Sequence, residues 1–217
     1  MRPRWARRPF PVLFAAALLC ALLVAGGCTA QKQARVRRII EQAGPGEPGT
    51  TVHWVRGPGI KGEKAVIANP EGQWAVSARA SSSYAQFSDR PGFTAAEAAG
   101  PPDVPQFGFD GRAWGPSREN AGYEWLELSY ATPVHASGVA IRETHMPGSV
   151  AMVQLRDTSG KYHLKWKGTD RPNTYLTWMV LDFPATSYLA KTVRITLDTT
   201  RVVHWKEIDA VQLAGKP

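Results

Sequence analysis

The chain has 217 residues, with 26 Lys and Arg against 18 Asp and Glu and a formal net charge of +8. Half of that excess is Arg2, Arg4, Arg7 and Arg8 at the start of the chain. The remainder is only mildly basic, which excludes the concentrated positive field of a nucleic-acid binder. Two cysteines cannot build a disulfide framework, so the fold must rest on a hydrophobic core, for which this length suffices.

The basic start runs into an uninterrupted apolar stretch of 14 residues, Val12 to Ala25. That is short of the roughly 20 residues needed to span a bilayer. A basic segment followed by a short apolar one is the pattern of an export signal, here over residues 1–27. Gly26 and Gly27 abut Cys28, an arrangement that resembles the bacterial lipobox, with Ala25 where that motif usually has Leu. The resemblance implies a lipid on Cys28, which then becomes the first mature residue. With Cys20 inside the signal, the mature chain has no disulfide. Thr29, in place of an Asp, points to delivery to the outer membrane of a bacterial envelope. The alternative is an ordinary secretory signal with an incidental Cys.

Residues 28–50 read as a tether. Gln31 to Ala43 predicts a short amphipathic helix with Val36, Ile39, Ile40 and Ala43 on one side. Lys32, Arg35, Arg37 and Arg38 suit anionic headgroups beside the lipid, or equally a solvated basic linker. Gly and Pro from Ala43 to Gly49 break the helix. In residues 51–72, TVHWVR and KAVIA predict two short strands joined by GPGIKGE, with their placement open.

Residues 73–217 form one domain in this reading. WLELSY alternates with Leu126, Leu128 and Tyr130 on one face, and GVAIRE aligns Val139 and Ile141. SVAMVQLRD precedes a DTSGK turn. YHLKWKG puts Tyr162, Leu164 and Trp166 on one face, with His163, Lys165 and Lys167 opposite and solvated. TVRITLD aligns Val193, Ile195 and Leu197, and IDAVQL closes the chain. TAAEAAG allows one helical turn. Period-two patterning broken by frequent turns predicts an all-β, antiparallel sandwich.

An ordered set of stretches carries a family resemblance: SARASSSYAQFS (77–88), AAEAAGPPDVPQFG (95–108), AWGP (113–116), EWLELSYATPV (124–134), ETHMPGSV (143–150) and EIDAVQLAG (207–215). Together they resemble a discoidin-like (F5/8 type C, galactose-binding-like) domain over about Gln73 to Gly215. The resemblance implies an eight-stranded jelly-roll β-sandwich. It also implies non-catalytic binding of glycans, lipid headgroups or proteins through loops at one end. Some members hold a structural calcium ion near the chain ends, which would fall to Asp103 and Glu207 here.

Three readings of the candidate residues stay open. Sugar binding uses an exposed ring beside polar groups. The loop aromatics Tyr84, Phe107, Phe109, Trp114 and Tyr123 fit, with Arg112, Glu119, Asn120 and His145 as a polar rim. Trp178 is a second candidate ring, while Trp125 and Trp166 sit in core patterns. Glu143 shares a face with Val139 and Ile141, so a buried, hydrogen-bonded role is expected, capping N–H groups or pairing with Arg79 or Arg112. The five His show no HxH, HExxH or other zinc spacing. The function that follows is a membrane-anchored, non-catalytic module for a glycan or other envelope component. The second is a scaffold lipoprotein that docks a protein. The third is a hydrolase, which would need two positioned carboxylates.

Overall fold

The computed structural model of the protein describes residues 30–44, 46–87 and 89–217. The signal of residues 1–27 and Cys28 lie outside the described residues. The chain divides into two units, Met1–Ile39 and Ile40–Pro217. The described part of the first unit is helical, in helix α1 over residues 30–42. No helix among the described residues is long and apolar enough to cross a membrane.

The second unit is built from strands β1 (Thr51–Arg56), β2 (Gly72–Ala80), β3 (Tyr123–His145), β4 (Val150–Asp157), β5 (Tyr162–Lys167), β6 (Thr177–Asp182), β7 (Leu189–Asp198) and β8 (Glu207–Lys216). Helix α2 (Lys61–Ile67) lies between β1 and β2. All pairings are antiparallel, and two strands serve both sides of the sandwich. The first half of β3 pairs with β2 and β7, and its second half pairs with β6 and β8. The start of β2 pairs with β8, and its end pairs with β3. One layer therefore runs β2–β3–β7–β4–β5 and the other β1–β6–β3–β8–β2. This is the expected galactose-binding-like β-sandwich.

The sequence pattern split β3 into two strands, and the structure joins them. At the crossover β3 has no continuous ladder, as the register shift between Ser129 and Val134 shows. Pro133, which lacks an N–H, falls in that gap. The side chain of Gln73 replaces the missing ladder there. Its Nε2 donates to the carbonyl of Thr132 at 2.8 Å, and its Oε1 accepts the N–H of Thr132 at 3.2 Å.

Between the layers lies one apolar core. Leu126, Leu128, Tyr130, Val139, Ile141, Val193, Ile195 and Leu197 are all buried there, on the faces their alternation predicted, and Val211 and Leu213 of β8 join them. Beyond the second layer, α2 covers the outer face and closes a smaller cluster of Ala140, Trp178 and Val180 with Val55, Val66 and Trp74. This settles residues 51–72. TVHWVR adds β1 to the sheet edge beside β6. KAVIA is helical rather than a strand, because Glu63 and Val66 must face the sheet together. A short apolar run is compatible with either form, and tertiary contacts decide between them. Trp178 is consequently a fully buried side chain and not an exposed ring.

A bulge between Val153 and Gln154 corrects the reading of β5. Trp166 opposes Val153 and packs on the core, whereas Tyr162 opposes Arg156 on the outer face. The one extra residue is Lys165, and it is fully buried. Its ammonium pairs with Glu47 and lies 4.6 Å from the ring centroid of Phe183. His163 is not solvated either: it stacks on Tyr188 at 3.7 Å and pairs with Asp157 at 2.8 Å. The Gly- and Pro-rich segment is thereby laid along β5, with Lys167 Nζ donating to the carbonyl of Ala43 at 2.6 Å. Gly46 permits that approach, since a Cβ there would sit 2.4 Å from the carbonyl oxygen of Lys165.

Candidate functional site

Loops at one end of the sandwich gather the aromatic residues. Phe93 and Phe109 stack at 4.5 Å between ring centroids. Tyr84 sets its ring edge-on to Phe93, Phe109 and Trp205 at 5.0, 5.3 and 5.2 Å. His145, the last residue of β3, lies 5.8 Å from Phe109 and 5.5 Å from Phe107. These contacts wall an open cleft of about 450 Å³, lined by Tyr84, Arg90, Phe109, Glu119, His145, His204 and Trp205. Mixed aromatic and polar walls of this kind orient a small ligand by a few hydrogen bonds over an apolar surface.

The cleft is held by groups beneath and beside it. Lys206 is buried, and its Nζ donates to the carbonyls of Glu119 at 2.7 Å and His204 at 2.6 Å. One ammonium therefore ties two cleft-lining loops together. Burial pushes its pKa down to about 8. Burial also holds His145 below the ordinary histidine value, so its ring is neutral at neutral pH. Met146 and His204 adopt the left-handed region with φ of 46° and 66°. Non-glycine residues there store strain that surrounding contacts must hold. The Nδ1 of His145 and the Nε1 of Trp205 are buried without a hydrogen-bond partner. Such orphaned groups cost stability until something satisfies them.

Tyr84, Phe109, Glu119 and His145, four of the residues predicted from sequence, meet in this cleft, and Phe107 flanks it through His145. The other candidates do different work. Trp114 is fully buried, bridges to Ile208 and donates its Nε1 to the carbonyl of Ser82 at 3.0 Å, so it is a packing residue. Asn120 is exposed and Tyr123 half-buried, and neither lines the cleft. Arg90, His204 and Trp205 were missed. Trp205 had a usable signal, as an aromatic residue in a loop just before the last strand. Arg90 and His204 had none, because their proximity is created by loops distant in sequence.

Glu143, two residues before His145 on β3, is buried as its alternation implied. One carboxyl oxygen accepts the N–H of Gly148 at 3.3 Å. Neither proposed arginine reaches it: Arg79 pairs with Glu127, and Arg112 with Asp110. Burial first, then the neighbouring Asp170 carboxylate, hold Glu143 well above the usual carboxylate range. Asp170 accepts the Nε1 of Trp54 and the N–H of Arg171, each at 2.7 Å. Glu143 thus closes the turn after β3 through the N–H of Gly148.

The two carboxylates expected to share a calcium ion fall into separate sets. The backbone N–H groups of Asp103 and Val104 face Asp209 Oδ1 at 3.4 Å. Glu207 instead accepts the N–H of Asp110 at 3.1 Å. Between them sits Arg112, donating to the carbonyl of Asp103 at 3.1 Å and to the Asp110 carboxylate at 2.6 Å. Among the described residues no three His, Cys, Asp or Glu gather to hold a metal ion. These side chains do not fit calcium: a guanidinium already supplies the charge that the loop oxygens face. Burial pushes Glu207 up to about 8, so a proton occupies the carboxyl at neutral pH.

Among solved structures, the protein is similar to the CBM32-1 and CBM32-2 domains from Clostridium perfringens ZmpB in complex with GalNAc. The TM-score is 0.50 at 12% identity, over 83% of this chain and 42% of that one. It is also similar to the family 32 CBM from C. perfringens NanJ in complex with galactose, with a TM-score of 0.44 at 16% identity, over 68% of this chain and 96% of that one. A comparison with curated proteins found no match. The sandwich is therefore discoidin-like in fold, and residues 67–217 match the model of the family described as Pappalysin-1, SD scarf domain, C-terminal, which covers well over half of the chain: the protein belongs to that family.

Proposed function

We propose that the protein is a non-catalytic module that binds a glycan of the bacterial envelope in the loop cleft, anchored to the membrane by a lipid on Cys28. The observation that carries this reading is the cleft itself: Tyr84, Phe109 and Trp205 form an aromatic wall, and Glu119, Arg90, His145 and His204 stand around it. A sugar presents C–H faces to aromatic rings and hydroxyls to polar edges, which is the chemistry these walls offer. Glu119 is the one carboxylate lining the cleft among the described residues, whereas glycoside hydrolysis uses a positioned pair. GalNAc, bound in the ZmpB domains of similar fold, is the first sugar to try.

Thermal melts of the full-length protein in neutral detergent, run against GalNAc, galactose and longer envelope glycans, test the cleft. A ligand that binds only the folded protein must raise the midpoint. Trp205→Ala is expected to weaken the glycan that shifts the melt at least about tenfold, roughly 1.4 kcal/mol. A flat panel with a cooperative melt would reject the glycan and redirect the search to a protein partner. For the anchor, Cys28→Ser is expected to move the protein from the membrane to the soluble fraction of its host. Retention in the membrane would reject the lipid.

A further inference from the structure

A second charged feature lies away from the cleft, on the outer face of the β2–β3–β7–β4–β5 layer. Its centre is Glu127 on β3, whose side chain is only 1% exposed. Arg79 on β2 and Arg194 on β7 are its cross-strand neighbours. Arg79 donates to the carboxylate through Nη2 at 2.6 Å and Nε at 2.9 Å. Arg156 on β4 comes within 3.4 Å and Arg194 within 3.6 Å, and the hydroxyl of Tyr162 donates as well. Trp125, expected in the core, instead lies half-buried on this face, with Arg194 4.2 Å above its ring. Tyr162 carries Arg194 at 5.3 Å and Arg156 at 5.9 Å.

The arrangement has an excess of cations that a simple ion pair would not need. Three guanidiniums share one carboxylate, leaving two positive charges. A carboxylate offers about four acceptor sites, while each guanidinium brings five N–H donors. The donors cannot all be satisfied by Glu127. The side chains of Arg79, Arg156 and Arg194 are 64%, 32% and 25% exposed, so part of each remains open to solvent beside the carboxylate. The aromatic rings beneath hold the guanidiniums in place in advance, which lowers the entropy lost on binding.

We propose that this face is a second binding surface, for sulfate or carboxylate groups carried along an anionic glycan chain. Arginine suits such groups because its planar fork meets two oxygens at once. The three arginines rise from β2, β7 and β4 but converge on Glu127, Arg79 and Arg156 reaching the same carboxylate oxygen at 2.6 and 3.4 Å, so the face offers one compact cationic patch. A lone small anion makes one such contact, whereas a polymer holds further charges at high effective concentration beside the patch. A lipid surface fits less well. Of the exposed large apolar side chains among the described residues, only Val76 belongs to these strands, so the face lacks an apolar anchor to enter a bilayer interface. The surface does not depend on the cleft binding a sugar.

The test uses full-length protein in neutral detergent, titrated with dextran sulfate, polygalacturonate, neutral dextran and phosphatidylglycerol vesicles. The expected result is binding to at least one of the two anionic polymers and not to neutral dextran. That binding should weaken at least about tenfold between about 0.05 M and 0.5 M NaCl, because exposed charges are screened. Arg79→Gln/Arg156→Gln leaves Arg194 and Tyr162 on Glu127 and should weaken binding at least tenfold in protein that still melts cooperatively, at a lower midpoint because Glu127 is buried. The single Arg79→Gln should give a smaller loss in the same direction and serves if the double variant does not fold. Trp205→Ala in the cleft should leave polymer binding intact, which separates the two sites. The proposal is overturned by no preference for either anionic polymer over neutral dextran, by binding that folded arginine variants retain, or by binding to the vesicles alone.

Discussion

Replacing Arg142 by Met is expected to lower the unfolding free energy by about 3–5 kcal/mol, the cost of breaking a buried charge network from one side. At about 2–4 °C per kcal/mol for a chain of this size, the melting midpoint falls by on the order of 10 °C. Arg142 stands on the outer face of β3, under α2, with its side chain 5% exposed. It donates to the carbonyl of Val104 at 2.7 Å and to Asp209 at 2.5 Å, and its Nη2 lies 3.1 Å from Glu63. Burial alone would push Glu63 up. The hydrogen bond from Trp178, the N–H of Gly59 and the charge of Arg142 outweigh it and hold Glu63 below its usual value. Without Arg142, both Glu63 and Asp209 are left as buried acids with no counter-charge. The loss would reach α2, which Glu63 ties to the sheet, and the loop at Val104. Urea unfolding measures it. The double variant Arg142→Met/Asp209→Leu should recover part of the loss, since removing both partners is milder than removing one. A loss for Arg142→Met below about 1 kcal/mol, typical of an exposed pair, would show that water reaches the network.

The second large effect is a fall in stability as pH rises from mildly acidic to mildly alkaline. Glu207 is pushed from 4.5 up to about 8 by burial, and Glu143 is raised in the same direction. In the unfolded chain both titrate near the ordinary carboxylate value. Above that value the folded state holds protons that the unfolded state has released, so raising the pH favours unfolding. The stability is fully present below about pH 4.5 and is lost progressively until Glu207 itself ionises near pH 8. Each unit of separation is worth about 1.4 kcal/mol, so a loss of about 2–5 kcal/mol between pH 5 and 8.5 is expected. Melts across that range measure it, and Glu207→Gln should flatten the slope because its amide does not titrate. A variant with the slope of the native protein would show that Glu207 is ionised in the fold, as a bound cation would require.

Much of the sandwich was legible because its strands alternate cleanly. Leu126, Leu128, Val139, Ile141, Val193 and Ile195 each fall on the face that period two assigns, and all are buried. Failures occurred where a local irregularity shifted that period. The bulge at Val153 moved Trp166 and Tyr162 to opposite faces and buried Lys165. A helix docked on the second layer buried its outer face too, so Trp178 and Arg142 became interior although alternation placed them outside.

The sequence by itself determined the all-β class, the approximate strands and several of the loop aromatics that meet at one end of the sandwich. Those are properties of composition and of short-range periodicity, and each is written in adjacent residues. Only the tertiary structure decided which loop residues meet. Tyr84, Phe109, His145 and Trp205 come from four separate segments, and Lys206 binds the loops of Glu119 and His204 at contact distance. It also decided that Arg142 is neutralised by Glu63 and Asp209, residues 79 and 67 positions away. Pairings of that kind depend on how strands cross between layers and where loops fold back, and no local pattern in the chain encodes them.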